Sequence, residues 1–281
     1  MDDKARELID RFRQVRTLPQ IISRLTRLIN DEHSTLQDFE EVIRMDPALV
    51  ARLLTLVNSS YFGLSRKVDS ISRAVALLGM KNLHNIAVTD SLKSLFVSGR
   101  EKDIFSPRRL WLHCTASGIC SKMIAERIFS INGDDAYLCG IMHDIGLIVE
   151  YQVAKEPFLQ AFAAWVPDGP AITASEQEFL GTDHCRIGFL LAEEWHMAES
   201  ICQAIRSHHS QDDEVEPQSP DAILRMSEYI LCQLDLAPKE GAVITLPERL
   251  ATHVRENMEE YRVVAEDLPE ELEQVQAIYD S

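Results

Sequence analysis

Apolar residues recur at spacings of three and four along almost the whole chain, while alternation of β-branched residues over five or more positions is nearly absent. Only a helix, with about 3.6 residues per turn, gathers such positions onto one face. The pattern predicts an all-α protein, helix after helix, with essentially no sheet. With 281 residues and 46% hydrophobic content, the chain has apolar material for one large domain or two modest ones.

Helix starts stand out where a side-chain cap precedes a periodic run. Ser34 precedes TLQDFEEVIRM, Asp46-Pro47 opens PALVARLLTLVNSS, and Ser106-Pro107 opens the run holding RRLWLHCTAS. Gly63, Gly79, Gly133 and Gly181 fall where periodicity stops, so a left-handed turn is expected at each. The polar stretch from Val97 to Asp103 reads as a seam, dividing residues 1–100 from residues 101–236 as two helical subdomains. Ser210–Ser219, with four acids and Pro217, reads as an exposed loop. Residues 237–281 read as a peripheral acidic tail of short helices, LPERLATHVREN and LPEELEQVQAIY, each opening with Leu-Pro. No internal repeat is visible.

Charge narrows the partners. Lys and Arg number 28 against 45 Asp and Glu, a net charge of −17 that opposes general binding to nucleic acid or anionic lipid. A local basic patch can still take a small phosphorylated ligand, because whole-chain charge does not set the field inside one cleft. The six cysteines form no C-x-x-C pair and sit mostly beside apolar residues, as reduced, buried thiols do. The charged start MDDKARELIDRFRQ is unlike a signal peptide, and no window approaches the roughly eighteen apolar residues that span a bilayer. A cytoplasmic protein without a membrane segment is expected.

The strongest chemical feature is His143-Asp144 in GIMHDIGLIV, within a helix expected from about Asp135 to Tyr151. Adjacent residues on a helix diverge by roughly 100°, so both reach one ion only if it lies beside the helix between them. A carboxylate beside a neutral imidazole suits Mn, Fe, Zn, Co or Ni better than Ca. His113, His184 and the pair His208-His209 complete a possible cluster. Any one of these histidines alone reads equally as a packed core residue bonded to a carbonyl. A buried Asp144 is different, since an uncompensated carboxylate costs several kcal/mol and a metal ion supplies the compensation. His33, His84, His196 and His253 lie outside the cluster and take no catalytic role.

In chain order, His113, His143-Asp144, His184, His208-His209 and the acid Glu228 in ILRMSEYIL resemble the ligand series of the HD superfamily of metal-dependent phosphohydrolases. Glu228 stands where that series has aspartate. The N-terminal half resembles the HDOD family specifically, through Leu18-Pro19, IRMDPALVARLLTLVNSSYFG from Ile43 to Gly63, and ISRAVALLGMKNL from Ile71 to Leu83. The resemblance covers about residues 17 to 235. It implies an HDOD-type helical half joined to an HD-like helical bundle, and a role among bacterial signalling and regulatory modules. It also implies one or two divalent transition-metal ions, Mn, Fe, Ni or Zn, on His113, His143, Asp144, His184, His208, His209 and Glu228. Asn58 and Ser59 would close a helix end, with Tyr61 and Phe62 packed across the seam. The HD-GYP branch continues H-D-I-G with Lys and carries a Gly-Tyr-Pro; here Leu147 follows Gly146 and no such tripeptide occurs. Arg186 and Arg206 are the candidate replacements for binding phosphate.

The leading expectation is a stand-alone signal-transduction module whose HD-type site binds metal and perceives a regulatory protein partner or a small phosphorylated ligand. The alternative is a metal-dependent phosphohydrolase for a small phosphoester or nucleotide, with His143 and Asp144 in catalytic roles. In that reading His113, His143 and Glu228 hold one ion, His184, His208 and His209 a second, and Asp144 bridges them. A mononuclear site is compatible with the same residues, as is an adaptor whose histidines bond only to one another.

Overall fold

The first five helices are built on short amphipathic runs with marked starts. They are α1 (Asp2–Val15), α2 (Gln20–Asn30), α3 (Leu36–Arg44), α4 (Pro47–Val57) and α5 (Ile71–Phe96). The computed structural model describes residues 2–15, 20–58, 67–96, 104–166, 169 and 171–279. The Val97–Asp103 seam, Leu18-Pro19, Ser59, Tyr61, Phe62 and Gly63 lie outside the described residues. Asp46 caps α4 as expected, with Pro47 in its first turn. The cap of α3 is Thr35 and not Ser34, because Thr35 and Asp38 stand three apart and bond reciprocally to each other's backbone N–H. Asn58 closes α4: its amide donates to Leu54 O and Val68 O, and its oxygen accepts from Val68 N. Phe39, Ile43, Leu49, Leu53, Val57, Ile71 and Leu83 form the core of this half.

The second half continues with α6 (Pro107–Met123), a π-helical turn (Ile124–Ile128), α7 (Asp134–Met142), α8 (Ile145–Val153), α9 (Lys155–Ala164), α10 (Ile172–Leu180), α11 (His184–Glu194), α12 (Glu199–Ser207) and α13 (Pro220–Gln233). No strand occurs among the described residues. Two of the four glycine expectations hold: Gly181 ends α10 at φ 74, and Gly79 kinks α5 at φ 80. Gly133 sits at φ −90 before α7; the left-handed residue that follows the preceding helix is Ser130, at φ 55. The π-helical turn already ends that helix, with Phe129 N–H reaching back five residues to Ile124 O.

The halves share a core. Leu8 and Phe12 of α1 and Val88 and Leu92 of α5 pack with Leu110, Ile145, Ile148, Ile187 and Leu191 of the second half. Within the first half, Thr26 Oγ1 meets His84 Nε2 at 2.9 Å, and between the halves the Asn85 amide donates to Asp134 O at 3.1 Å. His84, expected to be an ordinary helix residue, is thus buried where α2 and α5 meet.

The segment after residue 237 departs from the expected peripheral tail. Its helices α14 (Glu248–Glu256) and α15 (Met258–Tyr279) bury Leu250, Val254, Tyr261, Val264, Leu268 and Leu272 against Ile119, Ile223 and Met226. The second Leu-Pro does not open a new helix either, since α15 runs through Pro269. A helix-interior proline costs about 3 kcal/mol, which the burial of Val264, Leu268 and Leu272 around it offsets at roughly 1.5–3 kcal/mol each.

Candidate metal centre

Two close backbone approaches assemble the centre. α7 crosses α6 at Gly118 and Gly140, where a Cβ on Gly140 would stand 2.4 Å from the Gly118 nitrogen. α8 meets α11 at Gly146, where a Cβ would stand 2.2 Å from His184 O. Neither contact admits a side chain, so the backbones that carry His113, His143, Asp144 and His184 converge.

His143 and Asp144 do not share one helix. The helix expected from Asp135 to Tyr151 is broken at this pair, α7 ending at Met142 and α8 starting at Ile145, with Asp144 at φ −99, ψ 11. The apolar runs on either side keep the helical period, which is why the sequence pattern looks continuous. The break overcomes the roughly 100° divergence of helical neighbours. His143 Nε2 thereby lies 3.4 Å from Asp144 Oδ2.

Around this pair the other candidates gather. His113 Nε2 stands 3.2 Å from His143 Nε2, 3.5 Å from Asp144 Oδ2 and 3.2 Å from Glu228 Oε2. Glu228 Oε1 lies 3.5 Å from His143 Nε2 and receives no hydrogen bond. On the far side, Asp144 Oδ1 stands 3.3 Å from His184 Nε2 and 3.7 Å from His208 Nε2, which are 3.2 Å apart. Asp144 thus presents one oxygen to each of two groups. His209 adds its ring 4.2 Å from that of His208 and 5.0 Å from that of His184.

The orientation of four rings is set from behind. Nδ1–H donates to Leu236 O from His113 (2.9 Å), to Gly140 O from His143 (2.8 Å), to Ile205 O from His208 (2.8 Å) and to the Glu176 carboxylate from His184 (2.7 Å). These oxygens can only accept, so Nδ1 carries a proton, and each ring when neutral turns a bare Nε2 lone pair inward. Four lone pairs and two carboxylates therefore meet in a buried space, and only cations satisfy such a set. The residues fit a divalent transition-metal centre.

The titration behaviour has the same cause. Burial opposes charge on His143, but Asp144 and Glu228 outweigh it and hold the imidazolium well above its usual range. His184 is likewise raised against burial by Cys185 and Glu176, and His208 is pushed up to about 9 by Cys185 and Asp144. Asp144 and Glu228 stay far below ordinary carboxylates despite burial, through His143 for the first and His113 with His143 for the second. His209 is driven down by burial and by His208.

Four residues at the centre escape the sequence reading. Glu176 orients His184, and its inward position is readable from the Ile172, Glu176, Leu180 stripe of α10. Glu150, an acid inside the apolar run of α8, has no donor on either oxygen, and burial together with the Glu176 charge pushes its pKa well above the usual carboxylate range. Cys185 places Sγ 3.4 Å from His184 Nε2, and these rings pull its thiol down against burial. Arg225 grips Asp221 one turn earlier and donates to Ser210 O and Asp212 O, tying the loop after His209 to the helix that bears Glu228. An Asp-x-x-x-Arg spacing is its only trace in the sequence.

A cavity of about 100 Å³ opens beside Asp144, His208, His209 and Glu228, walled by Leu147, Trp165, Ile172 and Ile244. Arg225 is the one cation on its wall among the described residues, and it is already engaged. Arg186 and Arg206, expected to bind phosphate, do not line the cavity. Their guanidinium groups lie over the Phe189 ring, at 5.0 and 5.1 Å from its centroid.

A family model for the HDOD domain matches residues 15–211. The chain is 26% identical over 221 residues to an uncharacterized protein of Treponema pallidum (strain Nichols), covering 77% of this chain and 42% of that protein, so it spans well under half of that relative's length. A crystal structure of a Shewanella amazonensis SB2B protein, assigned provisionally as a phosphohydrolase, is 26% identical with a TM-score of 0.71, covering 97% of both chains. An HDOD domain protein of unknown function from Geobacter sulfurreducens shares the fold at 23% identity and a TM-score of 0.71, over 95% of this chain and 97% of that one. A Marinobacter aquaeolei VT8 protein, assigned provisionally to signal transduction, shares it at 19% identity and a TM-score of 0.76, over 99% of this chain and 65% of that one.

Proposed function

Because the chain belongs to the HDOD domain family, we propose that it acts as a regulatory, signal-transducing module whose HD-type half holds one or two divalent transition-metal ions. The ligands in this reading are His113, His143, Asp144, His184, His208, His209 and Glu228. The observation that carries it is the set of four imidazoles, each committed through Nδ1 to an acceptor and each turning a lone pair toward Asp144. Mn, Fe, Ni and Zn all suit nitrogen with carboxylate oxygen.

A ligand would reach the ions through the cavity beside His209. Leu147 gives that wall an apolar side chain, and Arg225 is bound to Asp221, so a phosphoryl group would find its counter-charge on the metal alone. Small phosphorylated ligands therefore fit better than bulky polyanions. Signals would pass to the N-terminal half through Asn85–Asp134, where a protein partner can read them. The six unpaired thiols suit a reducing cytoplasm, and no helix among the described residues is long and apolar enough to cross a membrane.

A second reading, phosphohydrolase, is favoured by the cavity touching Asp144 and His208 directly. A bound ion would supply Lewis acidity there. His143 and Asp144 would hold it, Glu176 would orient His184, and the apolar wall would exclude bulk water.

The test is the metal content of untagged protein purified without chelator, measured by inductively coupled plasma mass spectrometry, with Asp144→Ala as control. One or two equivalents per chain, lost in the variant, are expected. No metal after reconstitution with Mn, Fe, Ni or Zn would leave an adaptor with an empty HD fold. Turnover of a phosphoester panel by the wild type would move the assignment to the enzyme.

A further inference from the structure

Each group that Asp144 joins has the dimensions of a coordination shell. Tetrahedral sites with metal–nitrogen bonds of about 2.0–2.1 Å and metal–sulfur bonds of about 2.3 Å have N···N edges of about 3.3 Å and N···S edges of about 3.6 Å. On the first side, His113 and His143 stand 3.2 Å apart, and each lies 3.2–3.5 Å from Asp144 Oδ2 and from an oxygen of Glu228. That side is a complete set of two nitrogens and two carboxylates.

On the second side, His184 Nε2, His208 Nε2 and Asp144 Oδ1 are 3.2, 3.3 and 3.7 Å apart, which makes three corners. A sulfur stands against the His184–His208 edge of this triangle. Cys185 Sγ stands 3.4 Å from His184 Nε2 and 3.9 Å from His208 Nε2, bracketing the N···S edge. Its placement follows from the chain: His184 and Cys185 are the first two residues of α11, and Asp183 caps that helix by accepting from Arg186 N. Ligand atoms of His184, Cys185, His208 and His209 all fall within 4.8 Å of one another.

We propose that Cys185 is a metal ligand, so that the centre couples a nitrogen–oxygen position with a second position of mixed imidazole, thiolate and carboxylate character. The proposal rests on the metal-binding reading above and assigns a thiolate to it. Cys185 then takes the place given to His209 in that reading, and His209 lines the cavity beside His208, where it can meet a ligand. Thiolate coordination is soft, so the second position selects Zn, Fe or Co over Mn, whereas the first accepts harder ions. The two positions would fill with different metals under mixed supply.

The experiment is reconstitution of the untagged full chain with Co²⁺, followed by absorption spectroscopy and cobalt analysis. Visible d–d bands report cobalt on any position, and a near-ultraviolet charge-transfer band reports sulfur bonded to it. Wild type should show both. Cys185→Ser should keep d–d bands from the first position and lose the charge-transfer band, with cobalt content falling from two equivalents toward one. Cys232→Ser, which alters the thiol that lines the cavity, should keep the band. Wild-type d–d bands without charge transfer would overturn the thiolate and leave the metal reading standing, as would a charge-transfer band that survives in Cys185→Ser. Absence of all cobalt bands would overturn both.

Discussion

His113 and His143 face each other nitrogen to nitrogen at 3.2 Å, each with its other ring nitrogen already donating to a main-chain carbonyl. In the neutral state this sets two lone pairs in contact, and a cation between or beside them removes the conflict.

Removal of metal is therefore expected to destabilise the fold. A ligand at a hundredfold its Kd that binds only the native state adds about 2.7 kcal/mol. For a chain of this size each kcal/mol moves the melting midpoint by about 2–4 °C. Calorimetry with and without chelator should show a drop of several degrees in wild type and none in His143→Ala. An identical wild-type midpoint in both buffers would refute the expectation.

Glu176 should act through His184. Its carboxylate is fully buried and takes the Nδ1 proton at 2.7 Å. Outer partners of this kind are worth about 10–100-fold in metal affinity. Titration calorimetry should find that loss in Glu176→Ala and a smaller one in Glu176→Gln, whose amide oxygen still accepts. Wild-type affinity in the alanine variant would show that the ring is oriented by packing alone.

His84, buried between α2 and α5, predicts a pH response separate from the metal centre. Burial lowers the His84 pKa from 6.5 to about 4, with a small opposing effect of Asn85. Between those values the unfolded chain binds the proton more readily, so His84 contributes its full stability above pH 6.5 and loses it as pH falls toward 4. At pH 5 the loss is about 2 kcal/mol. Unfolding free energies from urea titration at pH 7 and pH 5 should differ by that much more in wild type than in His84→Gln. Parallel shifts in the two proteins would remove His84 as the cause.

The last helix is expected to be structural. Leu268 is fully buried, and Leu268→Ala should cost about 2–5 kcal/mol by cavity formation. Val263, on the same helix but 42% exposed, should tolerate alanine within about 0.5 kcal/mol. Equal, small effects in chemical denaturation would return α15 to the periphery.

How much of this can be read from the sequence depends on the kind of signal. The helical class follows from periodicity, because solvent selects one face of a helix wherever it lies. His113, His143, Asp144, His184, His208, His209 and Glu228 are legible as candidates because residue type and chain order carry the chemistry. The break at His143-Asp144 is not, since GIM and IGLIV continue the helical period across it and the cause lies 38 positions away, where Gly146 meets the His184 carbonyl. Arg186 and Arg206 mislead for the complementary reason: nearness in sequence to His184 and His208 says nothing about the face they take, and both turn to Phe189. Glu176 and Glu150 were readable as acids on apolar stripes. Cys185 hides because a cysteine in a helix is ordinarily core.

The packing of α1 has a consequence for how the protein is made. Arg11 bonds Val153 O across 142 positions and Arg13 pairs with Glu194 across 181, while Leu8 and Phe12 enter the core those helices share. At a translation rate of about 5–20 residues per second, α1 waits roughly ten to forty seconds between its own synthesis and that of its partners. Through that interval its apolar face is open to chaperones and to other nascent chains, so α1 is the element at which assembly in the cell is most exposed to error.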